Sequence, residues 1–410
     1  MFEKQITSIL NNIDESKNLN LTNKMLLQQF EKILEEEIKK SDNPSKTMTQ
    51  IKDHLNQIDL FLRQTNSFDN EASKKKFQKL IQQLFNLNLV HNIDINLSGI
   101  NELHLNYHIG DLIILPTNSQ TASLYDWMSR DINKLHSTIE KVGNVIKLTQ
   151  GPRKHVGIFK NKIILFLPKT YDGFITIRSE SDKVCVANLQ SNCMVDITSI
   201  TGNVSLISLH VERLQADLTS GNIMLNGCLA EDIHINTHSG NISAYHIKDL
   251  NSDTETIFTS TSGNVNLNNF FTHHLVIETK SGHIHTQNLN TATCNLNTIS
   301  GTIKAATINS NGTIKSNTGK IKLSLTNQFN GQLSIKTNLS PIKVNLEKKF
   351  PLKFNVKGNL GAITLPLDAI IFDNNEYNQI KGYLIQENTQ SSVLLESMHG
   401  SIDMSVKNKP

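Results

Sequence analysis

Nowhere in this 410-residue chain is there an apolar run approaching the roughly 20 residues that a membrane-spanning helix needs; the longest, residues 163–167, is closed by Pro168. Aromatic residues are scarce at 6%, with Trp127 the one tryptophan, and the hydrophobic share of 38% is too low for a thick globular interior. Four cysteines, Cys185, Cys193, Cys228 and Cys294, form no CxxC pair and no Cys/His ligand spacing, which argues against structural zinc and a disulfide framework. A net charge of +3 is too small to imply nucleic acid. The opening MFEKQITSILNNIDESKN has no apolar core of a secretory signal. The expected location is therefore the cytoplasm or the periphery of the cell envelope. There is no GxGxxG, P-loop, GxSxG or HExxH, so no cofactor, metal or catalytic residue is assigned.

What is present falls into segments. Residues 1–88 repeat apolar positions at helical spacing, as in Leu26, Leu27, Phe30, Ile33 and Leu34. They read as a small helical module for interaction or oligomerisation. Residues 91–180 alternate like strands and read as a β-rich cap, with a short helix expected over SLYDWMSRDINKL (residues 123–135) and a hairpin around Gly143-Asn144.

From residue 181 to 365 a Ser/Thr-Gly-Asn-Ile/Val signature recurs. Its glycines are Gly202, Gly221, Gly240, Gly263, Gly282, Gly301 and Gly319, spaced 19, 19, 23, 19, 19 and 18 residues apart. Two residues after each glycine stands Val204, Ile223, Ile242, Val265, Ile284, Ile303 or Ile321. Three residues before it a hydroxyl recurs in Ser199, Thr237, Ser260, Thr279, Thr298 and Ser316. Apolar residues alternate with polar ones between these columns, the period of strands rather than helices. One such coil cannot bury its inner face, but stacked coils can. The chain is expected to be mainly β: a parallel β-solenoid (a β-helix or β-roll) of coils about 19 residues long, preceded by a small α-helical domain. The glycine is expected at a corner with positive φ, and the hydroxyls in an inward ladder satisfied from coil to coil. Cys228 and Cys294 fall on apolar columns and read as packing residues. Residues 366–410 are expected to form a closing β cap.

The SGNI-type coils, the preceding KIILFLPKTYDGFITIRSESDKV and the closing LLESMHGSIDMSV resemble the bacterial "putative adhesin" β-strand-repeat family, a domain of unknown function, over about residues 92–406. That resemblance implies relatives among Gram-positive cell-envelope stress proteins, some with helical N-terminal regions. It carries no catalytic residues. The chain departs from membrane-anchored members by showing no transmembrane helix, and residues 1–88 match no module we can name.

Charge is unevenly spread along the repeat. Residues 182–278 hold ten acids against three bases, whereas residues 279–346 hold seven lysines and no acid. In a rod, sequence order is expected to be spatial order, so the rod should be electrically polar. Lys304, Lys315, Lys320 and Lys322 form the candidate anion-binding surface. The partners in view are an anionic envelope polymer, lipid headgroups or another protein, and no specific nucleic acid. His283 and His285 share an outward face and would need a third ligand to hold a metal; solvated surface histidines are the simpler reading. The function expected is non-enzymatic binding, adhesin-like or related to envelope stress. The alternative is a cytoplasmic scaffold that self-assembles through coil ends, with a carbohydrate-active enzyme further behind.

Overall fold

A computed structural model describes residues 87–152, 159–249, 251, 253–376 and 378–406. The helical module read over residues 1–88 lies outside the described residues, save for its last two. All described strands join one sheet that winds as a solenoid, and every strand of the repeat region pairs in parallel with its equivalent one coil away. The register follows the sequence columns. Val204 pairs with Ile223, Ile223 with Ile242, Ile242 with Val265, Val265 with Ile284, and Ile284 with Ile303. All are buried. Each coil adds a layer of β-branched and leucine side chains to one continuous core, which is the dominant stabilising term. Cys228 and Cys294 sit inside this core, where burial pushes both thiols up to about 11.

Between the seven repeat glycines, coil length varies at one corner only. The 23-residue coil places its four extra residues between Asp249 and Glu255: Ala230 still pairs with Asp249, whereas Ile233 pairs with Thr256. The 18-residue coil loses its residue at the equivalent corner, where Asn290 pairs with Asn309 but Thr293 with Asn311. The other two corners hold their register because both are built from stacked backbone.

The first of these is the glycine corner, and its chemistry corrects the expectation of positive φ. Among the seven repeat glycines only Gly221 is left-handed, at φ 143°. The constraint is crowding. A Cβ on Gly240 would lie 1.6 Å from the Gly221 carbonyl oxygen, and one on Gly263 would lie 1.6 Å from that of Gly240. The left-handed turn lies six residues further on, at Ser208, Gly227, His246, Asn269, Asn288 and Thr307, with φ between 50° and 65°. Asn and Gly dominate left-handed positions because the penalty is smallest for them.

The hydroxyl column points inward, but its hydrogen bonds run mainly through glycine backbone. Thr237 Oγ1 accepts the Gly240 N–H at 3.1 Å and donates to the Gly221 carbonyl at 3.2 Å. Ser260 and Ser316 repeat the relay one coil apart from their own glycines. A direct hydroxyl pair occurs between Thr279 and Thr298, at 2.9 Å. Outside the corner runs a second ladder. Asn203 Oδ1 accepts the Asn222 N–H, Asn222 that of Asn241, Asn241 that of Asn264 and Asn264 that of His283, each at 2.8–2.9 Å. His283 continues it, its Nδ1 accepting the Thr302 N–H at 2.9 Å. That bond places the neutral ring's proton on Nε2 and takes Nδ1 away from any metal. Replacing His283 with Asn should therefore leave stability within about 0.5 kcal/mol, while His283→Ala should cost about 1 kcal/mol. Urea denaturation of the two variants checks this; equal losses would show that the ladder contributes nothing.

The ends depart from simple stacking. Residues 123–135 do not form the expected helix. Ala122–Met128 is a strand between Asn88–Ile95 and Asn161–Pro168, antiparallel to both, and only Asn133–Leu135 make a 3-10 turn. Every residue of that strand is buried, so it shows no alternation to read. Coil pairing also begins before residue 181 and runs past 365. The strand pair Glu102–Tyr107 and Asp111–Thr117 lies between the pair Val145–Gln150 and Asn161–Pro168 and the pair Phe174–Ser179 and Val184–Ala187. At the other end Ser392–Ser397 and Ile402–Val406 slot between the coil of Gln332–Thr337 and Ile342–Leu346 and that of Leu352–Gly358 and Ile363–Thr364. Antiparallel hairpins, Ser137–Val142 at one end and Ile370–Glu376 with Gln379–Leu384 at the other, cover part of the open edges.

Candidate functional site

The lysine columns form on two outward faces flanking the glycine corner. Before the corner, Lys315 pairs in register with Lys336. After it, Lys304 pairs with Lys322, and Lys322 with Lys343. Parallel strands lie about 4.8 Å apart, so these are close like charges, tolerable because the side chains reach into solvent. Lys320 stands at the corner, directly after Gly319. Lys304, Lys315, Lys320 and Lys322 are exposed, and among the described residues none has a carboxylate within ion-pair distance.

The equation of sequence order with spatial order needs correction here. The intercalated final coil carries Glu396 and Asp403 into the lysine columns. Lys336 Nζ lies 2.7 Å from Glu396, Lys357 3.6 Å from the same carboxylate, and Lys343 3.3 Å from Asp403. The Lys336 ammonium, with Lys357 behind it, holds the Glu396 carboxyl below its usual range. The basic patch is thus centred on the coils of Gly301 and Gly319, with a neutralised border beyond. Towards the acidic end, Asp196 is pushed up by burial and by Asp217, against the pull of Arg178 and Arg213.

Apolar side chains missed in the sequence stand on the same corner. Leu339, Met398 and Leu360 are 56%, 50% and 72% exposed on three successive coils of the stack. Their backbones are bonded across coils, Leu360 N–H to the Met398 carbonyl at 3.0 Å and His399 N–H to the Asn338 carbonyl at 2.9 Å. Their corner positions are visible in the sequence, where SPIK at Ser340, LGAI at Leu360 and HGSI at His399 are weaker copies of the repeat signature. Their adjacency was not, because residues 398 and 339 meet only through the intercalated coil.

A shallow groove of about 380 Å³ lies at the variable corner, lined by Asp249, Phe271, Thr272, His273 and Asn290 among others. Asp249 is buried and accepts the His273 backbone N–H at 2.8 Å, with His273 Nδ1 2.9 Å from its other oxygen. This arrangement ties Asp249, the last residue before the insertion, to the next coil. His285 lies between Asn266 and Lys304 in the outward column after the corner. Among the described residues no group of three or more His, Cys, Asp or Glu is placed to hold a metal ion, and no helix is long and apolar enough to cross a membrane.

A family model described as Toastrack DUF4097 matches residues 100–243 and 228–405, together well over half of the chain. A solved structure described as a "putative cell adhesion protein" from Clostridium sporogenes is 12% identical, with 77% of this chain and 98% of that chain covered at a TM-score of 0.21. No curated protein matches.

Proposed function

The chain belongs to the Toastrack DUF4097 family, and we propose that it is a non-enzymatic bacterial binding protein, adhesin-like or tied to cell-envelope stress. Its solenoid presents a surface for phosphate-bearing partners, an anionic envelope polymer or lipid headgroups, at the periphery of the envelope. The observation that carries this reading is the unpaired lysine set Lys304, Lys315, Lys320 and Lys322, gathered by coil stacking around one corner. Lysine is a compact cation suited to phosphate recognised as a charge rather than by shape.

The double substitution Lys304→Glu and Lys322→Glu should weaken binding to polyphosphate or to phosphatidylglycerol vesicles by tenfold or more, at about 1 kcal/mol per lysine lost. Lys147→Gln, at the far end of the stack, should leave it unchanged. Wild-type binding should fall as salt rises. Equal binding by the double variant at low salt would overturn the reading. A self-assembling scaffold is the second reading, favoured by Ile370, Ile371 and Phe372, which are about half exposed on the strand Ile370–Glu376 at the end of the stack.

A further inference from the structure

We infer that the glycine corner at the lysine end docks onto an anionic lipid bilayer, with Leu339, Met398 and Leu360 entering the headgroup layer. The inference rests on the lysine-surface reading and names lipid, rather than a dissolved polymer, as the source of the phosphate. A hydrated polyanion gives no use to exposed apolar side chains, whereas a bilayer rewards their burial.

Three observations converge. The apolar side chains are consecutive along the stack, and Ile299, 53% exposed, stands on the same ridge two coils before Leu339. From Ile299 to Leu360 the ridge spans four coil spacings, about 20 Å. The ridge runs along one edge of the stack, beside a shallow groove of about 390 Å³ lined by Lys336, Asn338, Lys357, Asn359 and Met398 among others. Secondly, the ridge is free of acids. At the two positions before the glycine column and the one after it, no Asp or Glu occurs on any coil from that of Gly202 to that of Gly361. Lys280 and Lys320 stand on the ridge itself, with Lys304, Lys315 and Lys322 on the flanking faces. Thirdly, the two carboxylates that the final coil brings into the columns flanking these apolar side chains are neutralised, Glu396 by Lys336 and Lys357, and Asp403 by Lys343. No uncompensated acid of these columns is left to be repelled by anionic headgroups. Apolar contact and a basic surround are each too weak alone; together they give the two signals that stable surface anchoring requires.

The test uses the full chain, phosphatidylcholine vesicles with and without phosphatidylglycerol, and soluble polyphosphate as the lipid-free polyanion. A triple variant, Leu339→Asn, Met398→Gln and Leu360→Asn, keeps every lysine, and its melting temperature reports folding. The triple variant should sediment with anionic vesicles at least about tenfold more weakly than wild type and bind polyphosphate equally. A Leu339→Trp variant should show a blue-shifted, quencher-protected emission on anionic vesicles only; native Trp127 is buried and gives a constant background. Wild-type affinity of the triple variant for vesicles would overturn the bilayer inference while leaving the lysine reading intact. Failure of Lys304→Glu with Lys322→Glu to affect either probe would instead remove the lysine reading. Wild-type dimerisation abolished by the triple variant, with no vesicle binding, would reassign the ridge to a second copy of the chain and overturn the inference.

Discussion

Gly240→Ala is expected to lower the free energy of unfolding by about 3 kcal/mol or more, among the largest losses a single methyl can cause here. The added Cβ would sit 1.6 Å from the Gly221 oxygen, 2.4 Å from its carbon and 2.9 Å from Thr237 Oγ1. None of these is the free end of a flexible side chain. The carbonyl is pinned by the Thr237 hydroxyl, and the flanking strands are tied at Asn241 and Ile242 to their neighbours on either side. Relief therefore requires opening the stack at the corner. Urea denaturation measures the loss, and a variant within 1 kcal/mol of wild type would refute the crowding account. A second substitution separates crowding from backbone conformation. If positive φ were the requirement, Gly240→Asn would be far milder than Gly240→Ala. Crowding makes Asn as damaging as Ala. The converse holds at Gly227, whose φ is 64° and whose counterparts in the stack include Asn269 and Asn288; there Gly→Asn should cost less than about 1 kcal/mol.

This contrast shows how far the sequence could be read. The recurrence of glycine, and of isoleucine or valine two residues later, is enough to derive stacked coils, because only stacking lets every copy bury the same position. The reason for glycine was not legible. A position that excludes Cβ by conformation and one that excludes it by a neighbour's carbonyl leave the same letter. The left-handed column was hidden for the opposite reason. Ser208, Gly227, His246, Asn269, Asn288 and Thr307 share a backbone geometry but no side-chain type, since the turn tolerates several polar residues at modest cost.

The ends were opaque on other grounds. A strand covered on both faces, such as Ala122–Met128, loses the alternation by which strands are recognised. The position of the final coil follows from pairing alone: Gly400 would crowd the Ser340 oxygen at 2.0 Å, and Gly361 the Gly400 oxygen at 2.1 Å. The order along the glycine column is thus 319, 340, 400, 361. That inversion determines the chemistry of the candidate site. It brings Glu396 and Asp403 beside Lys336 and Lys343, which sets the neutralised border of the candidate site, and it places Met398 between Leu339 and Leu360. The neutralised border and the adjacency of the apolar side chains are consequences of one topological step that no local pattern encodes.

The second large effect is expected at the hydroxyl column. Thr237→Val preserves shape and volume, yet should cost about 2–4 kcal/mol, because it strips partners from a backbone donor and a backbone acceptor at once, each worth roughly 1–3 kcal/mol when buried. Thr237 is fully buried, its Oγ1 joining the Gly240 N–H to the Gly221 carbonyl. Thr237→Ser keeps both bonds and should lose no more than about 1 kcal/mol, the value of a methyl group. The chain contains its own comparison. The equivalent position before Gly221 is Leu218, without a hydroxyl, and Gly221 is the one repeat glycine turned to φ 143°. A corner deprived of its hydroxyl is accommodated there by a backbone rotation open to glycine but closed to other residues. Thr237→Val should recruit the same rotation at Gly240, which a crystal structure of the variant would show as a left-handed Gly240. An unchanged Gly240 φ together with wild-type stability would mean that the buried relay contributes nothing to holding the coils together.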